Sequence, residues 1–356
     1  MPSSFDFYRF PLWINGLAFL LTTAVVWLAG TRLTNRVELI AEQTGVGRAF
    51  IGLVLIGGVV SLPELSTSVA AALDGNARFA ANTLLGGIAV TMVAIAVVDA
   101  VVRERPISTD ITNPVVLLQG ALSVLFLLVA AGGITVGDIG FAGGGLWTSG
   151  LLVLYLCFAQ MVRGYQRNWK WTAEEEWTPE TVEEEAEAAH ERRKLRRNPQ
   201  SLSRLILVTA ALAAATATAG ILLSRIGEAL AEQTGLGSSY AGFVLGGVVT
   251  TMPEVSSIFA AIRIRRFELV FSAAYGSNLF STMAIFFADL AYPGGPILNE
   301  VGRFGLFGVL IGAAVCGIFL AGCVERTNRA ILGMGIDSLV VLCTYIGGMV
   351  LLFHMR

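Results

Sequence analysis

Residues 41–72 read AEQTGVGRAFIGLVLIGGVVSLPELSTSVAAA, and residues 231–262 read AEQTGLGSSYAGFVLGGVVTTMPEVSSIFAAI, a match at a constant offset of 190. Pro63 falls on Pro253 and Glu64 on Glu254, and the register carries on to Gly86 with Gly276 and Asp99 with Asp289. Self-similarity at a fixed offset marks a duplicated structural unit. Each copy is an apolar run that carries a proline and a carboxylate side by side in its middle.

The surrounding sequence says what medium such a run belongs to. Of 356 residues, 55% are hydrophobic and 14% charged, with a mean hydropathy of +0.71, whereas a soluble domain carries about a quarter charged residues. Apolar runs of about 20 residues, long enough to cross a hydrocarbon core, recur throughout. Ten spans are predicted, over 11–31, 37–73, 79–102, 114–132, 144–163, 204–224, 227–262, 267–292, 303–323 and 330–353. The expected fold is an all-α, multi-pass membrane protein whose second and seventh helices break at Pro63 and Pro253. The first run has no basic region beyond Arg9 and no clear cleavage site, so it reads as a retained span.

Residues 1–163 and 204–356 hold five spans each, and an odd number turns the second unit upside down relative to the first. Between them, residues 164–203 form a charged loop, acidic first and basic afterwards, with Glu and Arg at the spacing of a solvated helix. Its basic end, Arg192–Arg197, suits anionic headgroups. Ten spans place Arg9, Arg78, Arg225, Arg303 and Arg356 on one side and the other 19 of the 24 Lys and Arg residues on the opposite side. The basic excess marks the cytoplasmic face. Both termini are therefore expected outside, and loop 164–203 inside, at a plasma or inner membrane.

Proline inside a helix removes its own hydrogen bond and frees the carbonyl four residues back, here Val59 and Val249. In lipid such a break persists only where the freed groups are satisfied by protein or line a wet cavity. A charged carboxylate at mid-bilayer costs about 2.5–3.5 kcal/mol on insertion scales. Bearing both in both halves makes sense if the two breaks face each other around a cation. Hydroxyls stand three or four residues from each carboxylate: Ser61 and Ser68 near Glu64, and Thr250, Thr251 and Ser257 near Glu254. Carboxylates, carbonyls and hydroxyls form an all-oxygen ligand set, suited to hard cations such as calcium or sodium. Paired interrupted spans in inverted halves also point to a transporter's midplane site.

On these residues the chain resembles the calcium/cation antiporter superfamily, the sodium/calcium exchangers and their relatives. The family's signature, Gly-Thr-Ser-Leu-Pro-Glu-Leu followed by Thr-Ser, is echoed by Val60-Ser61-Leu62-Pro63-Glu64-Leu65 with Thr67-Ser68. The second copy reads Thr250-Thr251-Met252-Pro253-Glu254. The family's Gly-Ser-Asn is intact at Gly276-Ser277-Asn278 and altered to Gly86-Gly87-Ile88 in the first copy. The resemblance also points to Thr83 and Ala273 as positions of sodium ligands, yet neither is an amide or an acid here. It implies a secondary active antiporter in which Glu64 and Glu254 bind calcium by alternating access, with sodium as the first expectation for the counter-ion and protons, one per glutamate, as the alternative. A cation channel and a transport-inactive relative are further alternatives.

Other chemistry finds little support. The four cysteines lie within apolar runs without a Cys-x-x-Cys pair, and the two histidines lie in the charged loop and at the C-terminus. No nucleophile–base set, phosphate loop, cofactor motif or nucleic-acid-binding pattern is visible, so no enzyme and no cofactor is expected; the partners are inorganic cations and the bilayer. Asp99 and Asp289 sit near span ends, where water or helix-end pairing is expected to satisfy them. Glu42 and Glu232 read as interfacial, Asn82 as packing, and Asp337 as an acid suited to the start of the last helix.

Overall fold

The computed structural model describes residues 7–44, 57–102, 106–141, 143–168, 202–263, 267–326, 330–331 and 333–355. The apolar runs are helical. In the first half they are α1 (Leu12–Thr44), α2 (Gly57–Val60), α3 (Leu62–Leu73), α4 (Ala77–Val102), α5 (Pro114–Val136) and α6 (Leu146–Asn168). In the second half they are α7 (Leu202–Thr234), α8 (Ser238–Thr250), α9 (Met252–Arg263), α10 (Phe267–Ala291), α11 (Leu298–Glu325) and α12 (Ile336–Met355). Short antiparallel hairpins precede α6 (β1, Gly140–Phe141, with β2, Gly144–Gly145) and α12 (β3, Ala330–Ile331, with β4, Met334–Gly335). The offset of 190 recurs in the starts of α1 and α7, α3 and α9, α4 and α10, both hairpins, and α6 and α12.

Ten spans were expected; among the described residues seven helices are long and apolar enough to cross a membrane, or eight counting the bent pair α8–α9 as one. The fifth expected span is α6, whose apolar part, Leu146–Met161, is shorter. Part of the second span, 45–56, and most of loop 164–203 lie outside the described residues. Two boundaries are corrected. The first and sixth spans were expected to end near 31 and 224, but α1 and α7 run on to Thr44 and Thr234. Lone arginines such as Arg32 and Arg225 extend their heads to water from an unbroken helix, and Arg225 does so onto Asp74 at 2.9 Å. Gly235, at φ +69°, is what ends α7.

Both proline breaks have one geometry. Ser61 (φ −86°, ψ 10°) precedes α3 and Thr251 (φ −84°, ψ −3°) precedes α9. Each proline then falls in the first turn of a new helix, where a missing N–H breaks no intrahelical bond. The axis bends by 43° between α8 and α9.

α4 and α10 are the most enclosed helices, while α1, α7 and α12 present more of their length outward. α1 runs along α7, α3 packs on α7 and α4, and α11 packs on α4, α5 and α12. α10 closes the core against α3, α4, α5 and α6. Where α4 crosses α8 the backbones touch: a Cβ on Gly247 would lie 2.7 Å from the carbonyl carbon of Gly86 and 2.8 Å from the Gly87 nitrogen.

Asp99 and Asp289 are buried at the ends of α4 and α10, so helix-end pairing, and not water, satisfies them. Asp99 accepts from Ile107 N at 2.9 Å and Gly335 N at 2.7 Å. Asp289 accepts from Ile297 N and Gly145 N, both at 2.6 Å, and from the Thr148 hydroxyl. The backbone partners keep the repeat offset, Ile107 with Ile297 and Gly145 with Gly335, and each acid ties down the hairpin of the other half. Asp289→Ala leaves two buried backbone donors, Ile297 N and Gly145 N, unsatisfied at about 1–3 kcal/mol each, while the Thr148 hydroxyl keeps the Gly145 carbonyl at 3.0 Å. Its thermal midpoint in detergent is expected to fall well below that of Asp289→Asn, which retains an acceptor; equal midpoints would remove the clasp from the account.

Candidate cation-binding site

Glu64 and Glu254 enter the protein interior from the first turns of α3 and α9, 1% and 5% exposed. The Glu254 Oε1 accepts from Ser61 Oγ at 3.1 Å and from Ser277 Oγ, and its Oε2 from Thr91 Oγ1 at 2.9 Å. Ser61 and Ser277 are themselves 3.2 Å apart. The Glu64 Oε2 accepts from Ser281 Oγ. Its Oε1 faces the bare Cα of Gly87, where a Cβ would overlap it. Ser61, three residues before Glu64, thus touches the carboxylate of the other half.

Each carboxylate receives a hydroxyl from the other half. Thr91 on α4 reaches Glu254, and its repeat counterpart Ser281 on α10 reaches Glu64. The symmetry fails at two positions: Ser277 gives Glu254 a hydroxyl while its counterpart Gly87 gives Glu64 only space, and Ser61 donates to Glu254 while its counterpart Thr251 turns back onto its own helix. Among the described residues Glu254 therefore has three hydroxyl donors and Glu64 has one.

Of the residues singled out in the sequence, Glu64, Glu254, Ser61 and Ser277 come together. Thr250 and Thr251 turn back onto the Gly246 and Gly247 carbonyls, each at 2.9 Å. Ser257 bonds to Pro253 O at 3.1 Å, and Thr83 to Phe79 O at 2.9 Å. Ser68 links α3 to α4 through Ala80 O at 2.8 Å. Asn278 donates to Cys316 Sγ at 3.5 Å. Val59 and Val249 lie in the last turns of α2 and α8, just ahead of each break. Thr91 and Ser281 went unnoticed as lone hydroxyls in long apolar helices. They stand two turns beyond positions 83 and 273, and the offset of 190 that relates them is the signal that finds them.

No Lys, Arg or His is buried among the residues whose side chains are described, and none of these answers the two acids. A buried carboxylate pair without an internal base is stabilised by protons or by a bound cation. Its oxygens and the surrounding hydroxyls suit a hard ion.

Membrane-length helices thus pack around paired buried acids, one from each of two matching halves. Residues 14–162 match the sodium/calcium exchanger protein family. The fold is similar to that of the sodium-calcium exchanger NCX_Mj (TM-score 0.57, 16% identity, 96% of this chain and 99% of that one). It is similar also to native YfkE (0.63, 14%, 97% and 93%) and to the H+/Ca2+ exchanger CAX (0.64, 12%, 98% and 86%). At these identities the solved structures show the fold alone. Among curated proteins none matches the chain. The family match and the shared fold bear out the resemblance to the calcium/cation antiporter superfamily.

Proposed function

We propose that the chain is a secondary active antiporter that exchanges calcium for a monovalent cation at the site shared by Glu64 and Glu254. The observation that carries this is the pair itself: two buried carboxylates, one from each half, ringed by hydroxyls, with no buried Lys, Arg or His among the side chains described. Ser61, Thr91, Ser277 and Ser281 fix the carboxylates and lend oxygens, while the carbonyls of Val59 and Val249 at the breaks supply further ligands. Alternating access opens this one site to either side in turn. The basic residues orient it with both termini outside and 164–203 in the cytoplasm.

Sodium is the first counter-ion to test. Protons are the second, because the amide or acid expected of sodium-coupled relatives is absent at Thr83 and Ala273 and the groups that do reach the glutamates are hydroxyls. In calcium-loaded vesicles, an inward sodium gradient at fixed pH is expected to drive calcium out. Efflux driven by a pH step alone would reject sodium coupling and assign protons. Calcium efflux that ignores both gradients and follows voltage would replace the antiporter with a channel.

A further inference from the structure

A second pair of acids meets at the hairpin between α5 and α6. Gly137, at φ +91°, turns the chain off the end of α5, and Asp138 follows it into the protein, 8% exposed. Asn299 of α11 grips its backbone on both sides, accepting from Asp138 N at 2.7 Å and donating to Asp138 O at 2.9 Å. The Asp138 Oδ1 accepts from Trp147 N at 3.0 Å. Its Oδ2 is buried and has no hydrogen-bond partner. That oxygen faces Gly145, where a Cβ would overlap it. Asp289 of α10 reaches the same glycine, accepting from Gly145 N at 2.6 Å, and a Cβ on Gly144 would lie 3.0 Å from its Oδ2.

Two carboxylates, one from each half, thus converge on Gly144 and Gly145, and every group that bonds to them is neutral. The donors are the N–H groups of Trp147, Gly145 and Ile297 and the hydroxyl of Thr148. Neither acid has an ion-pair partner among the described residues. A buried carboxylate oxygen without a donor bears the cost of its lost hydration, and a cation beside it removes that cost. The two bare glycines put no side chain in the way. Asn299 fixes Asp138 before anything binds, so little ordering is lost on binding.

We propose that Asp138 and Asp289 hold a divalent cation of the calcium class, at a site separate from Glu64 and Glu254. Calcium accepts irregular sets of oxygen ligands, whereas magnesium demands a regular octahedron and keeps its waters. In the orientation proposed above this hairpin faces the outside, and the ion pins it to α10 of the other half. Only one carboxylate oxygen is free of hydrogen bonds, which sets the affinity at the weak end, about 10⁻⁴–10⁻³ M. The site therefore fills after the central one.

The experiment uses the full chain carrying Glu64→Gln and Glu254→Gln, which silences the central site. In detergent its thermal midpoint is expected to rise by about 2 °C when calcium reaches roughly ten times the dissociation constant. Adding Asp138→Asn is expected to abolish that rise, because the amide still accepts from Trp147 N but carries no charge. Without calcium the same substitution is expected not to lower the midpoint, since it removes an unpaired charge. Terbium gives a second reading that leaves both aspartates in place. Its emission, excited through the indole of Trp147, is expected to be displaced by calcium and to fall in Trp147→Phe. A calcium-dependent rise that survives Asp138→Asn overturns the proposal, and so does the absence of both the rise and the terbium signal up to about 10 mM calcium. Calcium exchange by the wild type is measured separately, so either failure leaves the antiporter standing.

Discussion

Glu64→Gln and Glu254→Gln are each expected to lower calcium exchange by on the order of 100-fold or more, since calcium affinity follows the charge of its ligands. The amide keeps the size of the carboxylate and removes its charge, leaving one negative charge to face a divalent ion. Folding is expected to survive. The hydroxyls of Ser61, Thr91 and Ser277 donate to Glu254, and a hydroxyl that donates to a carboxylate can rotate to accept from an amide N–H. Flux of tracer calcium in vesicles, with insertion checked by size-exclusion of the solubilised protein, measures both halves of the statement. Near-normal flux in either variant would mean that the carboxylate does not hold the transported ion.

Gly87→Val carries the second largest effect. A Cβ at this position would overlap Glu64 Oε1 and lie 3.1 Å from Thr251 Cγ2. The backbone of α4 is already in close contact here, with Gly247 of α8 against Gly86 and Gly87. Glu64 must therefore swing away from Ser281, and a ligand displaced by about 1 Å loses on the order of 100-fold in function when geometry decides the rate. Gly87→Ser is expected to keep more flux, since its hydroxyl can donate to the shifted carboxylate as Ser277 does to Glu254. Wild-type flux in Gly87→Val would show that the position of Glu64 does not govern transport.

The sequence revealed the site's acids because charge in an apolar run is conspicuous and because the duplication repeated it. Hydroxyls were harder to read. Those nearest in sequence to Glu254, Thr250, Thr251 and Ser257, bond to their own helices, as a Ser or Thr in a helix readily does. Ser61 and Ser277, singled out in the sequence, do reach Glu254, but Thr91 and Ser281 come from α4 and α10, and only the crossing of these helices with α3 and α9 brings them near. Helix ends were misjudged for a related reason: an arginine in an apolar run resembles a loop on composition, but its long stem lets the helix continue. Asp99 and Asp289 were recognised as a repeat pair near helix ends. Their exchange of partners between halves depends on tertiary packing that no local pattern encodes.

Calcium binding to the solubilised protein, measured by titration calorimetry on the wild type, Glu64→Gln, Glu254→Gln and the double variant, tests most directly whether the two halves hold one ion between them. One calcium per chain is expected in the wild type, and neither single variant is expected to bind measurably more than the double. Binding that persists in either single variant with wild-type stoichiometry and affinity would contradict a site shared by Glu64 and Glu254.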